Sequence, residues 1–415
     1  MTTALRNTSL TRITTELLFN DVVTNTTPSW HGIDNATETF QVQEGCLLIP
    51  HSAFLPDNSP EDLVSYETRR HVWKFVDVYF LLLCVFVSVP TNVINMIVFW
   101  KHGIKARINL CLFCLSLVDL LLLVSQFLMY AEEIDATISK TTYTRFFLKY
   151  LINNMFHTLP TVLTYASGFL STLVAFERCL CVVSPLKARS VIQTKTTAAI
   201  IVIGHLIILA GSYVIVARYV VVCIIDPETG EWMNLFYPSN FYINNKKLVD
   251  IFSAFIFGIS LPGIYTAGVG ISTVVTVVKL RRMSEWREQS SSSASLSRGA
   301  SADRDLTLTR MLIGTSCVFW VCTTPLFLFY IVLPFVPELR LHGKYHNTYF
   351  LILILQQMFL YINSSVNFFF YYFFGTKFRL TVQGMFRRQQ KTEIRAQMTT
   401  SMEISTATKV SSVTG

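Results

Sequence analysis

Charge is scarce in this chain. Only 14% of its 415 residues are Asp, Glu, Lys or Arg, where an ordinary soluble domain carries roughly 25%. Metal-ligand spacing and Gly-rich phosphate loops are also missing, so the sequence reads as no enzyme. It has no internal repeat, which counts against transporter folds built from duplicated halves. Neither a broken-helix pair nor a ring of pore-lining charge speaks for a channel. No short apolar run with a small-residue cleavage site stands near Met1. The first long apolar run is therefore expected to act as an uncleaved signal anchor.

Apolar sequence is abundant, at 52% of residues, and it is clumped. Crossing a bilayer takes about 20 consecutive apolar residues. Seven runs of that order are predicted at 75–100, 108–130, 147–181, 197–222, 249–280, 306–336 and 348–374. The expected fold is an all-α membrane protein, a seven-transmembrane helix bundle over 75–375. A short amphipathic eighth helix is predicted over 376–388, where Phe378, Leu380 and Phe386 face lipid and Lys377, Arg379, Arg387 and Arg388 face phosphates. Residues 1–74 read as an extracellular, Thr/Asn-rich segment, and 389–415 as a disordered cytoplasmic tail.

Basic residues set the orientation. With the N-terminus outside, the inner loops and tail hold Lys101, Lys105, Arg107, Lys187, Arg189, Lys195 and two clusters, Lys279 to Arg310 and Lys377 to Lys409. Cytoplasmic segments carry such an excess, so the net charge of +8 is an inner-leaflet signature rather than a sign of nucleic-acid binding. The outer face is net negative and includes Glu132, Glu133, Asp135 and Glu231. Asn7, Asn25 and Asn35 each open an Asn-x-Ser/Thr sequon on the predicted outer side. Of nine cysteines only Cys46 and Cys223 face the oxidising exterior. One disulfide between them is the expectation, two unpaired thiols the alternative.

Charged and amide groups inside apolar runs are expensive and mark function. Glu177 and Arg178 stand near the inner end of the third span. Glu177 can hold the arginine in one state, and Asp305 near the start of the sixth span can hold it across the bundle. Breaking such a pair would free the sixth helix to swing, a bistable element of the kind a switch needs. Asp119, Ser167, Asn363, Ser364 and Asn367 come from three spans and are expected to converge on a small oxygen-lined interior site. The alternative for them is plain interhelical adhesion.

Glu177-Arg178-Cys179-Leu180-Cys181-Val182-Val183-Ser184-Pro185-Leu186 resembles the Asp/Glu-Arg-Tyr-xx-Val-xx-Pro-Leu signature of rhodopsin-like (class A) G-protein-coupled receptors. Asn92, Leu115-Ser116-Leu117-Val118-Asp119, Pro262, Phe319 with Cys322 and Pro325, and Asn363 through Tyr371 resemble that family's other helix motifs in order. The resemblance implies a G protein meeting Arg178, Leu186 and the basic inner ends, with Tyr371 part of the inner machinery. It implies a sodium ion at the Asp119 site favouring the inactive state, with no other metal or cofactor. Ser290 to Ser301 and the tail hydroxyls would be phosphorylated for arrestin-like partners.

Several positions depart from the pattern. Thr323 stands where the family has a tryptophan, so the sixth-helix switch is expected to fall to Phe319. Phe368 replaces the seventh-helix proline. Gly270 replaces a fifth-helix tyrosine. Asn153 replaces the usual third-helix cysteine, which makes Cys46–Cys223 a replacement pairing.

The same resemblance bears on the ligand. Pro160 stands where amine receptors carry an acid, and Tyr361 where opsins carry a lysine. The run from Asn367 to Tyr371 resembles invertebrate neuropeptide receptors of the FMRFamide type. Phe176 to Lys187 is similar to chemosensory receptors of gastropod molluscs. A peptide or small extracellular solute is the expected ligand, lined by Asn154, His157 and Thr161 on the third helix, Phe329 and Tyr330 on the sixth, and Gln356, Gln357 and Leu360 on the seventh. The runner-up function is a multi-span transporter or channel without G-protein coupling.

Overall fold

The structure, a computed structural model, describes residues 42–43, 46–48, 61–139, 158–184, 193–225, 232–290, 299–336, 338–339 and 343–387. Among the described residues, seven helices are long and apolar enough to cross a membrane. Helix α1 spans Tyr66–His102, α2 Arg107–Ser139, α3 Thr158–Val183 and α4 Thr194–Val216. The fifth, α5, joins Asn240–Phe252, a π-helical stretch Ser253–Ser260 and Leu261–Ser290. Then come α6, Gly299–Val332, and α7, His346–Phe374. After Gly375 a further helix, α8, runs over 376–387, close to the predicted 376–388.

Two boundaries differ from the apolar pattern. The first helix starts at Tyr66, where the Ser65 hydroxyl accepts the Thr68 N–H at 3.2 Å. The end of the segment predicted as purely extracellular is therefore helical. The fourth helix stops at Val216 instead of 222. Beyond it, β3 (Tyr219–Ile225) pairs antiparallel with β4 (Trp232–Pro238). Val220-Val221-Val222 and Ile224-Ile225 are apolar enough to pass for membrane span, but β-branched side chains favour a pleated strand. Ser239 ends the hairpin, donating to the Ala217 carbonyl and accepting the Tyr242 N–H at the start of α5.

Two short strands complete a four-stranded sheet, β1 (Val42–Gln43) and β2 (Cys46–Leu48). The pairing of β2 with β3 is parallel, Leu47 opposite Ile224 and Leu48 opposite Ile225. Continued one residue back, that register would set Cys46 opposite Cys223.

Apolar side chains divide between lipid and core. Ile203, Leu206, Ile207 and Tyr213 on α4 are exposed, as are Phe86 on α1 and Ile271 and Val274 on α5; a bilayer would cover them. Inside, Phe99, Leu112, Leu122, Leu170, Met311 and Tyr371 belong to the main core cluster. Glycine sets the approach between α5 and α6. A Cβ on Gly263 would lie 2.9 Å from the Phe327 ring, and one on Gly270 would lie 2.9 Å from the Trp320 indole nitrogen. Both contacts recur about two turns apart on antiparallel helices, so α6 is keyed into α5 twice.

Candidate functional site

Asp119 is fully buried in α2. A carboxylate at that depth needs its lone pairs filled. Ser167 of α3 donates to its Oδ1 at 2.8 Å, Ser364 of α7 to the same oxygen at 3.3 Å, and the Asn367 amide of α7 to Oδ2 at 2.9 Å. Helix α1 joins through the Ser364 carbonyl, which accepts from Asn92 at 3.1 Å and Ser88 at 3.3 Å. Four helices thus meet at one acid. Asn363 is buried too but is not among the groups bonded to Asp119.

At the inner end, Glu177 is 3% exposed and central. Arg178 Nε donates to its Oε2 at 2.6 Å, and the same oxygen pairs with Arg178 Nη2 at 2.6 Å. Arg107 of α2 approaches Oε1 at 3.6 Å, and the Cys181 thiol donates to that oxygen at 3.4 Å. The adjacent-residue lock is therefore present. Asp305 lies within α6, but its side chain is outside the described residues, as is Leu186. Sequence reasoning took Arg107 only as an orientation marker; its place at the mouth of α2, on the same side as Glu177, was the available signal.

A small cavity of about 10 Å³ opens beside Arg178 between α3, α5 and α6, lined by Thr273, Thr276, Thr309 and Ser316 among others. Its volume is that of about one water molecule, and the Thr273 hydroxyl is buried without a partner. Tyr371 sits elsewhere, packed on Phe99 at 5.3 Å and Phe378 at 5.7 Å between ring centroids, where α1, α7 and α8 meet.

The sixth-helix substitutions have a physical consequence. Thr323 bonds back to the Phe319 carbonyl at 2.9 Å, and Thr266 of α5 reaches Thr323 at 3.4 Å. Phe319 is buried with Ala175 of α3 and Tyr265 and Val269 of α5. The ring at the junction of three helices is thus Phe319.

The residues predicted to line a ligand pocket fare unevenly. The Phe329 ring lies tilted against Tyr330 and Tyr349, each at 5.8 Å between centroids. Gln356 donates to the Cys322 carbonyl at 3.3 Å while its own carbonyl oxygen is unpartnered, and Gln357 hydrogen-bonds Tyr361. Thr161 is partly buried on α3. Leu360 is partly buried and packs against the main core cluster. Asn154 and His157 lie outside the described residues, as do the glycosylation candidates Asn7, Asn25 and Asn35. Cys46 and Cys223 are described in backbone alone.

An acid that charge counting assigns to the outer surface is instead buried. Asp77 of α1 is 2% exposed and accepts the Tyr361 hydroxyl of α7 at 2.8 Å. Its position two residues inside the predicted first span was the overlooked signal.

Among the described residues, no group of three or more His, Cys, Asp or Glu side chains could hold a metal ion. The family model described as serpentine type 7TM GPCR chemoreceptor Srw matches residues 78–389. A comparison with curated proteins found no match.

Proposed function

The chain belongs to the Srw family of serpentine seven-transmembrane G-protein-coupled chemoreceptors, a multi-pass membrane receptor family, and on that premise we propose how this member works. It sits in the plasma membrane with its N-terminus outside, binds an extracellular neuropeptide or chemosensory solute, and activates a heterotrimeric G protein. The observation that carries this reading is the state of Arg178. It is tied to Glu177 beside a narrow, hydroxyl-lined space between α3, α5 and α6. A ligand that favours outward movement of α6 would widen that space into a G-protein seat and release the arginine into it.

Sodium fits the central site as an allosteric modulator. Asp119 and the hydroxyls of Ser167 and Ser364 are oxygen groups of the kind hard cations take. An ion bound there would strap α2, α3 and α7 together and oppose activation. Outside the cell, the register that would set Cys46 opposite Cys223 supports a disulfide joining the N-terminal segment to the hairpin after α4. Mass mapping of nonreduced peptides tests it. Glycans at Asn7, Asn25 and Asn35, and arrestin-like proteins at a phosphorylated tail, complete the proposal.

The functional test expresses the full chain in cells and screens amidated peptides and water-soluble odorants, recording calcium and cyclic AMP. A hit should accelerate nucleotide exchange on purified G protein in membranes. Ligand-gated ion or solute flux with no change in exchange would overturn this reading in favour of a channel or transporter.

A further inference from the structure

Three consecutive residues of α1, Val76, Asp77 and Val78, are each no more than 2% exposed. An ordinary helix turns 100° per residue, so three buried in a row span a wide face. This stretch, Phe75–Phe80, is π-helical, and such local widening recurs at functional sites. Flanking it, Phe75 and Tyr79 are 56% exposed, aromatic side chains suited to a membrane–water interface. Asp77 therefore sits at the outer boundary of the bundle, turned inward.

Its company is polar and neutral. Tyr361 of α7 donates at 2.8 Å, and Tyr130 of α2 also hydrogen-bonds the carboxylate. Among the described residues no basic side chain pairs with it. A second acceptor points the same way. Gln126 is 2% exposed and its Oε1 lacks any partner. It shares a helical face with Leu123 and Tyr130, three residues before it and four after, and both pack in the cluster that holds Val76, Leu81 and Tyr361. A buried carboxylate and, one turn along α2 from its Tyr130 partner, an orphaned amide carbonyl leave acceptors unfilled on this face of the bundle. A desolvated acid of this kind either takes up a proton or is satisfied by a cation.

We propose that Asp77, with Tyr130, Tyr361 and Gln126, forms a subsite for the cationic group of the extracellular ligand, an alkylammonium or guanidinium, between α1, α2 and α7. The cation would take the carboxylate from the Tyr361 hydroxyl. Tyr361 stands less than one turn from Ser364 on the same helix, and Ser364 bonds Asp119. Occupancy at the outer site is thereby coupled to the central one through α7. The coupling rests on the receptor reading above; the binding does not.

Binding is tested on the full chain purified in detergent, by thermal shift with hexylammonium and its uncharged counterpart hexan-1-ol. Hexylammonium should raise the melting temperature in a saturable way while the alcohol does not. Asp77→Asn should weaken the response at least tenfold in concentration, and Asp77→Glu, which keeps the charge, should recover most of it. Equal responses of the wild type to ammonium and alcohol would overturn the proposal, whether or not the variants fold. So would an unchanged response in Asp77→Asn. Ammonium binding without G-protein activation by any ligand would sink the receptor reading and leave this subsite standing. Activation that ignores Asp77→Asn would do the reverse.

Discussion

Asp119 and Glu177 are both buried acids, yet hydroxyl and amide groups surround the first while guanidinium groups flank the second. The difference follows from depth. At the inner end an arginine keeps its stem in the bundle and its head near water and phosphates, so one charge can answer another at little desolvation penalty. Halfway across, a second ion would have to be buried as well, and neutral donors fill the lone pairs instead. The consequence is functional. On the proposed reading the inner acid belongs to an ion pair that must be broken, whereas the central acid offers oxygens that a small cation would meet.

Breaking the inner set should give the largest effect. Arg178→Ala removes the group proposed to meet the G protein, and ligand-stimulated nucleotide exchange should fall at least tenfold. The loss of one member of a buried pair should also lower stability by about 3 kcal/mol, read by thermal melting. Exchange equal to wild type would refute the inner-lock mechanism. Glu177→Gln acts on the same pair in the opposite sense: freeing Arg178 should raise ligand-free exchange several-fold.

Asp119→Asn probes the other side of the comparison. The amide retains one acceptor for Ser167 and loses its charge, so stability should fall by only about 1 kcal/mol, the worth of a typical hydrogen bond. Any sodium-dependent rise in melting temperature should vanish, while potassium has no effect in either form. A sodium response that survives the substitution would remove the ion from this site.

The smallest effect lies with an acid outside the bundle. Asp62 accepts the Thr348 hydroxyl and the Asn347 N–H, each at 2.6 Å, tying the segment before α1 to the first turn of α7. Partial burial pushes its carboxyl up, but these bonds and those from the Val64 and Thr348 N–H groups outweigh it and hold the carboxyl below its ordinary value. A depressed folded value means that the contribution is complete above the ordinary carboxylate range and is lost as pH falls through the lowered value. Asp62→Asn should cost about 0.5 kcal/mol at neutral pH, the worth of a charge at a helix N-terminus, and the gap between variant and wild type should close under acid. A gap independent of pH would assign Asp62 a purely steric role.

How much of this was legible beforehand varies with the physics involved. The seven crossings were readable because long apolar runs leave few alternatives, and Asp119 and Glu177 because charge inside such runs is conspicuous. The hairpin at 219–238 was not. Hydropathy treats a Val/Ile strand and the end of a membrane helix alike, and the pairing that separates them is nonlocal. Asp77 was missed because its burial depends on the π-helical turn, which composition does not reveal. Arg107 was noticed for its sign, and its role emerged only when α2 and α3 were brought together.

The two glycine seats on α5 bear on how such a bundle can open. With the Phe327 ring lodged at Gly263 and the Trp320 indole at Gly270, α6 is pinned to its neighbour at two heights and resists swivelling about either pin alone. A wedge entering from the cytoplasm would have to carry both rods together or pull both rings from their notches. Small side chains on one rod and large rings on the other thus decide whether the receptor's inner mouth widens as a single hinged panel.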